Sequence, residues 1–107
     1  MSDAIVIFCT CRNVDEARRI ARDLVESRLA ACGNILAPVE SIYRWQGEIE
    51  TAQEALLVIK TVRERFLDVQ QRILHLHSYD TPEIIALPVA EGLEKYLAWI
   101  RESVSGL

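Results

Sequence analysis

Apolar positions recur along the chain with two periods, and the switches between them mark the elements. Ala4 to Thr10 is almost wholly apolar and rich in β-branched residues, as in a strand covered on both faces or lying centrally in a sheet. Asn13 then precedes Glu16 by three, a capping-box spacing. Val14, Ala17, Ile20, Ala21, Leu24, Val25 and Leu29 follow at steps of three and four. That stripe predicts a helix over about 14–29, with Arg18, Arg19, Arg22 and Glu26 largely outside it. From Ala30 to Val39 small residues, Gly33 and Pro38 interrupt an extended pattern. Because proline cannot donate to a ladder, Pro38 predicts an edge strand or a bulge.

Ser41 to Glu50 reads as two extended segments folded back around Gln46-Gly47, since glycine adopts positive φ at little steric cost. Ile42, Tyr43 and Trp45 ride on this hairpin, whose return strand stays polar until Ala55. The turn end is therefore expected to stand clear of the core and to want a partner. Ala55, Leu57, Ile59 and Thr61 alternate with Leu56, Val58 and Lys60 in a third strand. Thr61 and Glu64 repeat the capping-box spacing. Val62, Phe66, Val69, Ile73 and Leu76 then recur at helical steps up to His77, where turn formers and Pro82 end the run. Glu83 to Ala90 predicts a fourth strand at an edge, given Pro88. Leu93, Tyr96, Leu97, Ile100 and Val104 predict a short last helix with Trp99 on its flank.

The order strand, helix, strand, strand, helix, strand and extra helix predicts an α+β, ferredoxin-like split-βαβ fold, with two helices on one face of an antiparallel sheet. Strands apolar on both faces leave the other face uncovered in a lone subunit, so oligomerisation is expected. At 107 residues, half of them apolar, the chain is expected to form a single domain. A net charge of −4 leaves no basic stripe for nucleic acid. No apolar run approaches the ~20 residues of a membrane span, and the N-terminus lacks the positive region of a signal peptide. A cytoplasmic location is the expectation. Cys9, Cys11 and Cys32 are odd in number and make no C-x-x-C pair, which favours reduced thiols over a disulfide framework or structural zinc. No nucleophile elbow, phosphate-cradling glycine loop or H-E-x-x-H occurs, which argues against catalysis.

Ordered motifs covering nearly the whole chain carry a resemblance. They are Cys9-Thr10, Leu29-Ala-Ala-Cys-Gly-Asn-Ile35, Ser41-Ile-Tyr-Arg-Trp-Gln-Gly-Glu48, Ile59-Lys-Thr61, His77-Ser-Tyr-Asp-Thr-Pro-Glu-Ile84 and Tyr96-Leu-Ala-Trp99. With these the chain resembles the CutA divalent-cation tolerance family. Two departures are Gly33, where the family more often has a branched or small apolar residue, and Ser78, where proline is usual; the latter predicts a looser loop around His77. The resemblance implies a tight homotrimer similar in architecture to the PII signalling proteins, a role in tolerance to copper and other divalent ions, and copper binding through cysteine and histidine.

Thiolate and imidazole suit copper better than magnesium or calcium, which directs attention to Cys9, Cys11, Cys32, His75 and His77. Cys9 and His77 match positions the resemblance associates with copper; Cys32 is a further candidate, while Cys11 and His75 rank below. Unpaired cysteine is commonly a small buried hydrophobe and His77 also fits a helix C-cap, so those readings stay open. Lys60, Tyr79, Glu83, Tyr96 and Trp99 form a second constellation that could line a cleft between subunits. It would bind a small anionic effector or a partner segment, or else serve as interface packing with a Lys60–Glu83 ion pair. Tyr43 and Trp45 are the expected trimer contacts.

Overall fold

The computed structural model describes residues 2–106. The elements are β1 (Ala4–Cys11), α1 (Val14–Glu26), β2 (Cys32–Trp45), β3 (Glu48–Val62), α2 (Phe66–Leu76), β4 (Ile85–Pro88) and α3 (Glu94–Ser103). The strands form one antiparallel sheet in the order β2-β3-β1-β4. Each helical crossover therefore straddles one strand, the split-βαβ arrangement expected from the element order. Both proline-bearing strands lie at edges, where a missing N–H breaks no ladder.

Strand parity divides the molecule. Ile5, Ile7, Cys9 and Cys11 of β1 and Ala55, Leu57, Ile59 and Thr61 of β3 are buried under α1 and α2, with Ile20, Leu24, Val69 and Ile73 packing down from the helices. On the opposite face α3 covers only one end, where Ala4 and Val62 meet Ile100 and Val104. The rest of that face stays open, and Leu36, Ile85 and Leu87 remain about half exposed on it.

Three boundaries differ from the sequence pattern. Helix α1 ends at Glu26 because Arg28 takes a φ of 61°, while the amides of Leu29 and Ala30 turn back to the Leu24 carbonyl at 2.9 and 3.1 Å. The capping box expected at Thr61 does not form. Thr61 is a buried strand residue whose hydroxyl donates to the Leu29 carbonyl at 2.7 Å, so α2 begins only at Phe66, after a 3-10 turn over Arg63–Arg65. Strand β4 covers only the middle of the span expected for it.

Beyond Ala55, which pairs with Cys11, β2 and β3 leave the sheet as a two-stranded ribbon. Its turn has φ of 50° at Gln46 and 83° at Gly47, the left-handed pair that closes a tight hairpin. At its base β2 carries one extra residue: Ala37 and Pro38 both lie opposite Ala55, between the pairs Leu36–Leu56 and Val39–Glu54. After this bulge Val39, Ser41, Tyr43 and Trp45 continue the open face, while Ile42 and Ile49 point to the other side. The ribbon stretches the molecule to 44 Å with a radius of gyration of 14.3 Å, against about 13 Å for a compact chain of this length.

The departure at Gly33 has a packing cause. A Cβ there would meet Ala21 Cβ at 3.0 Å and Leu57 Cδ1 at 3.2 Å, so α1 lies so close to β2 that a side chain at this position requires its neighbours to give by a few tenths of an ångström. Gly33→Val is expected to lower the unfolding free energy by about 2 kcal/mol through overpacking. Urea denaturation reads this, and an unchanged midpoint would show that the helix can back away freely.

Candidate metal centre

Cys9 and Cys11, two apart on β1, point to the same buried face. His77, the C-cap of α2, turns to extended dihedrals and swings its ring over the end of β1. The Cys9, Cys11 and His77 donor atoms all lie within 4.8 Å of one another. A three-coordinate ion about 2.2 Å from each donor places the donors about 3.8 Å apart, so the cluster would close by at most about 1 Å. Two sulfurs and one imidazole form a soft donor set, matched to copper(I) or zinc rather than to magnesium or calcium.

The cluster is sealed and internally satisfied. Both thiols and the His77 side chain are inaccessible to solvent. His77 Nε2 lies 2.9 Å from the Thr10 carbonyl, which only accepts, so Nε2 carries the hydrogen; Nδ1 accepts from the Tyr79 amide at 3.0 Å. The hydrogen-bonding neighbour Cys11, and then burial, push the Cys9 thiol far up, with the charges of Glu83 and Glu16 adding to the effect. It rests as a thiol, and an ion entering here must displace a proton.

Glu16 holds the surround together. Its amide donates to the Asn13 side chain at 2.9 Å, the expected helix cap. The returning bond, however, reaches one residue further: Oε1 accepts from the Arg12 amide at 2.8 Å and Oε2 from the Ser78 amide at 2.8 Å. Oε1 also lies 3.8 Å from His77 Nδ1. Burial alone would push this carboxyl up, but the Arg12 and Ser78 hydrogen bonds and the nearby imidazole outweigh it and hold the group below its ordinary value. The loop expected to be loosened by Ser78 is instead tied down, through an amide hydrogen that proline would lack.

Tyr79 carries the network outward. Its ring lies 4.8 Å from the imidazole, and its hydroxyl donates to Glu54 Oε2 at 2.6 Å, at the ribbon base. Burial, followed by that bond and the surrounding carboxylates, raises its phenol.

The remaining candidates separate. Cys32 pairs with Lys60 on the open face, across the sheet from Cys9, and its sulfur lies 3.9 Å from the Tyr96 hydroxyl. Lys60 Nζ donates to that hydroxyl at 3.4 Å, and the Tyr96 and Trp99 rings lie 5.5 Å apart. Tyr79 and Glu83 lie at the other end of the sheet, the latter near enough for its charge to bear on Cys9, so the effector constellation divides in two within one subunit. Within one subunit Lys60 and Glu83 form no ion pair. His75 is exposed on α2, away from the thiols. Tyr43 and Trp45 stand out on the ribbon, 44% and 59% exposed. The structure brings Cys11, which the sequence ranks below Cys9, into the same cluster; its two-residue spacing from Cys9 is the sequence signal for it. For Glu16 the sequence pattern signals only a helix cap.

The family model of the CutA1 divalent ion tolerance protein matches residues 5–103. A divalent-cation tolerance protein CutA from Thermus thermophilus is 50% identical over 98 residues, covering 92% of this chain and 95% of that one. Among solved structures, CutA from Xylella fastidiosa superposes with a TM-score of 0.95 at 45% identity, covering 97% of this chain and all (100%) of that one. The periplasmic divalent cation tolerance protein CutA from Archaeoglobus fulgidus gives 0.93 at 42% identity, over 95% and 99% of the two chains.

Proposed function

Because the chain belongs to the CutA1 divalent ion tolerance protein family, we propose that it serves tolerance to divalent metals as a non-catalytic, copper-binding homotrimer of the cytoplasm. The observation that carries the metal reading is the convergence of Cys9, Cys11 and His77 within 4.8 Å. Cys32, placed across the sheet, is not part of this ligand set. The trimer reading rests on the open apolar sheet face and on the ribbon that extends it. Free thiols support the cytoplasm.

Copper(I) supplied from a competing chelator without oxygen is expected to bind once per subunit, with affinity at least about tenfold weaker in His77→Ala and Cys9→Ser. Equal, weak uptake by all three proteins would overturn the site. Because Cys9 is held as a thiol, binding releases protons, and apparent affinity is expected to rise with pH, by roughly a factor of ten per unit for each proton released. A pH-independent affinity between neutrality and mild acid would mean that the thiols are not the ligands.

A second reading rests on Lys60, whose ammonium meets Tyr96 beside Trp99 on the open face. A small anion or an acidic partner segment could be held there. A thermal-shift screen in which Lys60→Ala abolishes the response tests it.

A further inference from the structure

We infer that the hydrogen bond from the Tyr79 hydroxyl to Glu54 is the strut that sets the direction in which the ribbon leaves the sheet. Tyr79 and Glu54 are thereby positioning residues for the surface that Tyr43 and Trp45 carry, a role in assembly that rests on the trimer reading above.

Packing and ladder leave that direction weakly set. No residue from Val39 to Glu54 is buried, so the ribbon has no core of its own to orient it. Its ladder is interrupted where it joins the sheet, because the pair Leu36–Leu56 is followed by Val39–Glu54 with Ala37 and Pro38 left over. A bulge bends its strand, and Pro38 brings no amide hydrogen to restrain the bend. A two-stranded ribbon is by itself only marginally stable in water. Among the described residues, one side-chain hydrogen bond, from Tyr79 to Glu54 at 2.6 Å, and no ion pair ties Val39–Glu54 to the rest of the chain. At that length it belongs to the charge-assisted class of a hydroxyl on a carboxylate.

The bond is placed where it has leverage. Glu54 and Val39 form the first pair beyond the bulge, so the carboxylate is held at the hinge itself. The other end is firm. The Tyr79 amide donates to His77 Nδ1 at 3.0 Å, its ring lies 4.8 Å from the imidazole, and the Ser78 amide donates to the buried Glu16 carboxylate at 2.8 Å. Through His77, 2.9 Å from the Thr10 carbonyl, and through Glu16 these ties reach β1 and α1. Val39 to Trp45 spans about 20 Å at a strand's rise per residue, so a swing of about 10° at the base moves Trp45 by about 3.5 Å. Close-packed contacts do not survive such a shift.

Amide residual dipolar couplings of the intact protein, weakly aligned, test this. Tyr79→Phe keeps the amide and the ring and loses only the hydroxyl. In wild type the ribbon and β1 are expected to fit one common alignment. In Tyr79→Phe and in Glu54→Ala the ribbon couplings should shrink and lose that fit, while those of β1 and α1 remain and show the subunit still folded. Glu54→Gln, whose amide oxygen still accepts from the hydroxyl, should keep the fit. The double variant Tyr79→Phe/Glu54→Ala should lose no more than either single one, because both remove the same bond. A ribbon that keeps the common alignment in Tyr79→Phe overturns the strut, as does a double variant in which the two losses add. Sedimentation in urea reads the consequence for assembly: Tyr79→Phe is expected to dissociate at lower urea than wild type, and equal dissociation removes the strut from assembly. A wild type that sediments as a monomer overturns the trimer reading alone, because the couplings decide the strut without it.

Discussion

Trp45→Ala is expected to break the proposed trimer while leaving the subunit folded. Trp45 is 59% exposed and Tyr43 44% exposed on a ribbon with no core of its own, so neither contributes much to the isolated fold. Both continue the apolar face that runs through Leu36, Ile85 and Leu87. Large aromatics at the centre of subunit contacts cost about 2–4 kcal/mol each when truncated. In a symmetric trimer that cost recurs in every subunit. Sedimentation in partly dissociating urea should show Trp45→Ala as smaller species at a concentration where wild type stays assembled. The far-ultraviolet dichroism should not change. Arg22→Ala, on the exposed face of α1, is the control, and identical sedimentation of the two variants would remove the ribbon from the interface.

The second large effect is expected at Glu16. Removing its carboxylate in Glu16→Ala orphans the amides of Arg12 and Ser78, a loss of about 2–4 kcal/mol at neutral pH. The acid limb tests the cause. Because the folded carboxyl sits below its ordinary value of 4.5, its stabilisation is fully present above that pH and disappears as the folded group is protonated below it. Wild type should therefore lose stability in that window more steeply than Glu16→Ala. Parallel acid curves would mean that the carboxylate charge has no part in holding the loop.

What could be read in the sequence divides along one physical line. Local pattern was enough for β1, for the start of α1 at Asn13 and for the Gln46-Gly47 turn, because burial period, cap chemistry and φ preference act over a few residues. It failed at Thr61, where a hydroxyl suited to a cap is instead taken by a carbonyl 32 residues away. In the site, Cys9 and Cys11 were visible as neighbours on one strand. Cys32 stands as a further candidate in the sequence, because the side of the sheet it occupies depends on its pairing with Lys60. Glu16 could not be found as the clamp of the loop after His77, since its partner Ser78 is 62 positions away and the bond is to a backbone amide that no side-chain pattern records.

The extra residue at Ala37 and Pro38 separates two properties that a regular hairpin ties together. Deleting one of the two would leave Leu36 opposite Leu56, Val39 opposite Glu54 and every pair out to the tip unchanged. Only the bend would go, since a bulge adds local bend and twist to its strand. At this one point the chain can change length without changing register. The direction in which Trp45 is aimed is therefore free to drift between related proteins by a single-residue insertion or deletion, with neither strand rewritten.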